Sequence, residues 1–265
     1  MKLHYVTLPT EDDFEAWREA ARACAAADLH PGQIVWQVGT GPADLFAETP
    51  PPSPSASAFT VPRIFMDFAR SVVCHRDPER FALLYTLLLR LRSNPRSMED
   101  KADPILRRAE AMARTVRRDM HKMRAFLRLR EVCEDAQQRF IAWHEPEHHI
   151  VRHNAGFFVR RFSTMHWSIL TPALSIHWDT ETLTEGPGAT RADAPQGDPV
   201  EETWRTYYSS IFNPARVKIG AMTKEMPRKY WHNMPETALI PDLIAGAQER
   251  ERTMISASKR KVTNL

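Results

Sequence analysis

Between Pro104 and Arg130 apolar residues recur every three or four positions, and this run constrains the fold more than any other stretch. At 100° per residue, Ile105, Ala109, Met112, Val116, Met120, Met123 and Leu127 fall within a stripe of about 80°. Only a helix gathers them on one face, so the chain must provide a core for a single helix of about 40 Å. Opposite the stripe stand Arg107, Arg114, Arg117, Arg118, His121 and Arg128, with Lys122 beside them. Solvated helix faces are usually mixed in sign, because opposite charges four residues apart support a helix and like charges oppose it. Residues 101–130 instead hold ten bases and three acids, with Glu110 and Asp119 the acids inside the run. The face is either ordinary solvated surface or a site where a polyanion offsets the repulsion. A nucleic-acid phosphate backbone is the expected polyanion.

The remaining pattern predicts an α+β chain, mainly helical, with antiparallel hairpins and a small N-terminal strand-helix-strand segment. Leu3 to Leu8 alternates as a strand does, and Ile34 to Val38 is a second short strand. Between them Phe14, Trp17, Ala21 and Cys24 mark one helical face, with Thr10 as the expected N-cap and Asp13 as a first-turn carboxylate. Residues 49–58, TPPPSPSASA, cannot enter a helix interior or a central strand. They divide an N-terminal α/β segment, 1–48, from a main domain, 59–250, which a basic tail follows at 251–265. Asp77-Pro78, Asp103-Pro104, Asp198-Pro199 and Asn213-Pro214 each set a capping side chain before a proline, and each predicts a helix start. The helix after Asp77 contains FALLYTLLLRL, apolar on nearly every face, and should be the most buried. From about 138 to 185 the period becomes two. Phe140–Trp143 with His149–Val151, and Trp167–Thr171 with Ser175–Trp178, are expected as two hairpins around a short helix near Phe157–Phe162. Gly186-Pro-Gly188 reads as a loop.

Charge is distributed unevenly. Residues 1–60 and 178–203 are acidic, with eight acids to three bases and seven acids to one base. A second basic segment interleaves aromatics with cations: Tyr207, Tyr208, Asn213, Arg216 and Lys218, followed by Lys224, Arg228, Lys229, Tyr230 and Trp231. Its cations suit phosphates, its tyrosines suit unpaired bases, and an Asn213-capped helix start offers free N–H groups. The alternative is that the aromatics anchor a core and the cations face solvent.

Several classes are excluded or disfavoured. No apolar run approaches the ~18 residues of a membrane span. Residues 1–10 lack the basic-then-apolar pattern of a secretion signal, and a cytoplasmic location is expected. Cys24, Cys74 and Cys133 are isolated, so neither a disulfide framework nor a cysteine metal site is expected. His144, Glu145, Glu147, His148 and His149, with His153 nearby, lack the helical H-E-x-x-H spacing because Pro146 interrupts them. No metal and no cofactor are expected.

The blocks CHRDPERFALLYTLLLRLR, ADPILRRAEAMARTVRRDMHKMRAFLRLREV, FIAWHEPEHHIV, FFVRRFSTMHWSILTP, TWRTYYSSIFNPARVK and EMPRKYWHNMPETALIPDLIAGA occur in this order. Over about residues 60–250 the chain resembles a bacterial DNA-metabolism or DNA-repair domain family of unknown function. That family is found beside radical-SAM proteins of DNA-repair type and fused ahead of uracil-DNA glycosylase-like domains. The resemblance implies a DNA-repair setting, with DNA and such a repair protein as partners. It transfers no catalytic residue and no iron–sulfur cofactor. Two functions remain open: a DNA-binding accessory module, or an enzyme acting on a damaged base or nucleotide. The second needs convergent polar groups, for which His121, His166, Ser168, Tyr207 and Asn213 are the candidates.

Overall fold

In a computed structural model the protein is α+β, and residues 3–39, 61–134, 137–195, 219–242 and 245–246 are described. The chain divides into two compact units, Met1–Arg124 with Pro146–Phe158, and Ala125–Glu145 with Val159–Leu265. No helix among the described residues is long and apolar enough to cross a membrane.

The first unit opens as the alternation predicts. Strands β1 (His4–Leu8) and β2 (Ile34–Val38) pair in parallel, from His4↔Ile34 to Leu8↔Val38. A parallel pair needs a crossover, which helix α1 (Phe14–Ala26) supplies. The N-cap of α1 is Asp13 rather than Thr10: the Asp13 carboxylate accepts from Ala16 N at 2.8 Å, while the Thr10 hydroxyl donates to Asp12 at 3.1 Å. A carboxylate next to the first turn is favoured by both hydrogen bonding and the helix dipole. Phe14, Trp17, Ala21 and Cys24 are buried, as their spacing requires.

Three helices follow: α2 (Arg63–Val73), α3 (Arg80–Ser93) and α4 (Pro104–Phe126). Eight of the fourteen residues of α3 are buried, which makes it the central helix its all-round apolarity demands. Trp36 joins it to β2, with ring centroids 6.1 Å from both Phe81 and Tyr85. Arg80 is 1% exposed and serves structure. Its Nε donates to Val73 O at the end of α2 (2.7 Å), and its other nitrogens reach Asp77 O, Glu11 O and the Glu11 carboxylate. Pro104 begins α4, and Asp103 accepts from Ile105 N at 2.9 Å. Asp77 instead accepts from Glu79 N (3.0 Å), and α3 begins at Arg80. Asp198-Pro199 and Asn213-Pro214, like the 49–58 spacer, lie outside the described residues.

The second unit carries one five-stranded sheet: β3 (Arg130–Glu134), β4 (Gln137–Trp143), β5 (His166–Leu170), β6 (Leu174–Trp178) and β7 (Leu183–Pro187), paired in that order. All pairs are antiparallel except β4–β5, which is parallel. Alternation places Ala142, Trp167, Ile169 and Ile176 on one face, each 2% exposed or less. Helix α6 (Ile219–Glu225) and two 3₁₀ turns, Arg228–Asn233 and Pro235–Leu239, follow, with Tyr230, Met234 and Ile240 buried.

The β5–β6 hairpin is as expected, and four expectations are corrected. The long helix ends at Phe126, 23 residues and about 35 Å long, because Leu127, Leu129 and their arginine neighbours already alternate toward β3. No hairpin forms between 140–143 and 149–151. Glu147 N and His148 N both donate to Asp119 Oδ2 (2.8 and 3.0 Å) and His149 N donates to Cys74 O (2.9 Å), so these amides are unavailable to a ladder. The helix expected near 157–162 begins earlier, as α5 (Val151–Arg161). Gly186 and Pro187 lie in an edge strand, where proline's missing N–H is tolerated.

Candidate nucleic-acid interface

Helix α4 buries Leu106, Ala109, Met112, Ala113, Val116 and Met123, which fixes its rotation. Arg107, Arg114, Arg117, Arg118 and His121 are exposed. At 100° and 1.5 Å per residue they occupy an arc of about 100° and a length of about 21 Å. Among the described residues Arg107, Arg114 and Arg117 meet no carboxylate.

The two acids within the helix are engaged elsewhere. Asp119 is 3% exposed and turned inward to the Glu147 and His148 amides. Glu110 pairs with Lys101 at 2.6 Å, outside the stripe. Arg108 shows what balance looks like on the same helix, held by Asp77 (2.8 Å) and Glu79 (2.6 Å). Two members of the expected set are placed differently. Lys122 is 5% exposed, since its position flanks the core side of the helix, and Arg128 lies beyond the end of α4. Arg128 Nη1 reaches the carbonyls of Ala125 (3.3 Å) and Leu127 (3.5 Å), a C-terminal capping role.

Of the second basic segment, Tyr207, Tyr208, Asn213, Arg216 and Lys218 lie outside the described residues. Lys224, on α6, and Lys229 are exposed. The Lys229 ammonium sits 4.8 Å from the Tyr230 ring centroid, and Tyr230 itself stacks within 8° of parallel on His144. Tyr230 is thus a core anchor.

Of the enzymatic candidates, His121, His166 and Ser168 are among the described residues, and Tyr207 and Asn213 lie outside them. His121 is exposed on α4, and His166 lies on β5. Ser168 Oγ is 2.8 Å from His177 Nδ1 across the β5–β6 pair. Burial, then Arg139, holds the His177 imidazolium disfavoured. Gly186 leaves room for that ring, since a Cβ there would lie 3.0 Å from His177 Nε2. A neutral imidazole on a serine hydroxyl is the first half of a nucleophile–base pair, and the hydrogen bonds of His177 show no carboxylate orienting it. His177 was legible in retrospect, because in a hairpin turning at 171–174 residue 168 pairs with 177. A Cys74–His153–Asp12 line has the composition of a triad, with Cys74 Sγ 3.4 Å from His153 Nδ1 and His153 Nδ1 3.8 Å from Asp12. Its thiol is fully buried and pushed up to about 12, chiefly by burial, so it is a packed thiol and no nucleophile.

The histidines around Pro146 have separate neighbours. The His148 ring lies 4.4 Å from that of His75, tilted by 32°, and accepts from Arg76 N at 3.3 Å. Burial first, then the adjacent His75, lowers His148 to about 4. His149 faces Glu11 at 3.9 Å, and His144 faces Tyr230. Among the described residues no three His, Cys, Asp or Glu side chains are grouped to hold a metal ion.

A family model described as a domain of unknown function, DUF4130, matches residues 78–236, from just before α3 to the last 3₁₀ turn. The match includes α4 and the whole sheet. No curated protein and no solved structure matches the chain.

Proposed function

The chain belongs to the DUF4130 family of domains of unknown function, and from that premise we propose that it is a DNA-repair-associated nucleic-acid-binding module. In this reading it positions or assists a uracil-DNA glycosylase-like or radical-SAM repair partner. The observation that carries the reading is the single sign of the exposed α4 face: Arg107, Arg114, Arg117, Arg118 and His121 point outward while Asp119 points inward. Like charges at this density oppose the helix unless an anion offsets them. Twenty-one ångströms of duplex presents about twelve phosphate charges, ample for the four arginines. Contacts from arginines along one helix face to the backbone position a protein and carry no sequence information. The repair setting and the partners come from the family resemblance of the sequence blocks.

Arg107→Glu, Arg114→Glu and Arg117→Glu combined test this. Wild-type affinity for a duplex should fall roughly 10²-fold between 50 and 200 mM salt, as neutralising about four phosphates entails. The folded triple variant should bind at least ten times more weakly and show a flatter salt dependence. Unchanged binding by a folded triple variant refutes the reading.

The Ser168–His177 contact favours a second reading, an enzyme acting on a damaged DNA base or nucleotide. Conversion of a lesion-bearing oligonucleotide by the chain alone, abolished in Ser168→Ala with binding intact, would select it over the accessory role.

A further inference from the structure

The sheet-bearing unit contains a second cationic feature. Arg130 on β3 pairs with Ile141 on β4, and strand alternation sets Trp143 on the same face. After β7, the 3₁₀ turn Arg191–Asp193 adds Arg191. Arg128, Arg130, Arg191, Ile141, Trp143 and Pro195 line one cleft of about 250 Å³, open solvent included. Three guanidinium groups border it, and among the described residues no carboxylate does.

Two of the arginines have evident structural work. Arg128 caps the end of α4, and Arg130 donates to Pro195 O at 3.0 Å. Arg191 differs. Its Nη1 is buried with no hydrogen-bond partner, alone in that state among the arginine and lysine nitrogens of the described residues. A buried cationic donor without an acceptor is costly, so native structures supply one. Trp143 Nε1, on the same cleft, is also buried and unpartnered. Trp17 and Trp36 share that state but do not line this cleft.

We propose that this cleft is an oxyanion site that takes one phosphate group, with Arg191 Nη1 and Trp143 Nε1 donating to its oxygens. A guanidinium matches phosphate geometry, and a site lined by donors with no acid admits an anion and rejects a cation. The site uses no residue of the exposed α4 stripe and does not rest on the function proposed above. The phosphate belongs either to a nucleic acid or to a free phosphate ion.

The test titrates inorganic phosphate into the full chain at constant ionic strength, with chloride as the balancing ion. Calorimetry and NMR of the arginine Nε–Hε groups supply the readouts. Saturable binding is expected, weakened about tenfold or more in Arg191→Gln and severalfold in Trp143→Phe, which keeps the ring and removes the N–H. Trp143→Phe keeps the test open should Arg191→Gln fail to fold. A 5′-phosphorylated oligonucleotide that binds better than its 5′-hydroxyl twin, through Arg191, assigns the phosphate to a nucleic-acid end. Equal binding of the two, with Arg191-dependent uptake of inorganic phosphate, assigns a free ion. The α4 charge-reversal variant should retain phosphate binding, so the two proposals fail separately. Absence of saturable phosphate binding, or binding unchanged in both cleft variants, overturns the site.

Discussion

Asp119→Ala should destabilise the chain by removing what holds the 147–148 backbone. Asp119 is 3% exposed, and its Oδ2 receives both Glu147 N at 2.8 Å and His148 N at 3.0 Å. A hydrogen bond to a charged partner is worth about 1.5–3 kcal/mol, which sets a ceiling of about 3–6 kcal/mol for the two. The bond from Glu147 N is only partly buried, and that amide can regain water, so the expected loss is about 2–4 kcal/mol. In a chain of this size that lowers Tm by roughly 4–16 °C. Asp119→Asn can hold an oxygen at the same point without the charge. Neutral acceptors are roughly half as strong, so it should lose about half as much. Tryptophan fluorescence gives the melting curves, and amide exchange locates the change. Protection of the Glu147 and His148 amides should fall first in the alanine variant. Equal losses in the two variants, or a loss under about 1 kcal/mol in Asp119→Ala with both amides still protected, would refute the reasoning.

Acid should weaken the fold through His148, which burial holds at about 4. An unfolded histidine titrates near 6.5, so the unfolded chain takes the proton first: the contribution is complete above about pH 6.5 and lost by about pH 4, on the order of 3 kcal/mol. His75, His149 and His153 are lowered chiefly by burial and act in the same sense. His148→Asn keeps an acceptor for Arg76 N, and urea unfolding at pH 7 and pH 5 should show a difference smaller by about 2 kcal/mol; an unchanged difference places the proton uptake elsewhere. Gly188→Ala should cost about 1–3 kcal/mol, because its Cβ would lie 2.1 Å from Pro172 O, a backbone atom. Gly220→Ala in α6 meets nothing within 4 Å and should be neutral or gain up to about 1 kcal/mol; equal urea midpoints for the two variants would contradict this contrast.

Legibility followed the length of each repeating pattern. The faces of α3 and α4 could be read because three or more turns of one period leave little choice of rotation. The β5–β6 hairpin could be read because its strands are adjacent and alternate. Strand β3 could not, since Leu127 and Leu129 with Arg128 and Arg130 fit the end of a helix and the start of a strand equally. Strand β7, LTEGP, is mostly exposed and carries almost no apolar signal. The turn at 147–149 escaped because a distant carboxylate, Asp119, claimed its amides. Of the candidate interface, the arginines were legible from composition, but the inward turn of Asp119 and Lys122 was not. Both flank the apolar stripe, where a few degrees of rotation decide between solvent and core. Arg191 was hidden differently, as the one base in the acidic stretch 178–203.

The parallel pairing of β4 with β5 has a consequence for how this chain can be cut or assembled. Residues 146–158, which separate the two strands in sequence, belong to the unit built from the N-terminal part of the chain. The polypeptide therefore passes between the units at 124–125, 145–146 and 158–159. No single cleavage point yields two intact halves: a fragment ending at Arg124 lacks the acceptor-bound amides of Glu147 and His148, and one beginning at Ala125 keeps a segment native to the other unit. On the ribosome, the first unit stays incomplete until residue 158 has emerged, and β4 waits for residues 166–170 before its inner edge is paired. Such sequence-distant closure is slow. In the meantime the strand presents an open edge, which makes the nascent chain the state most in need of protection.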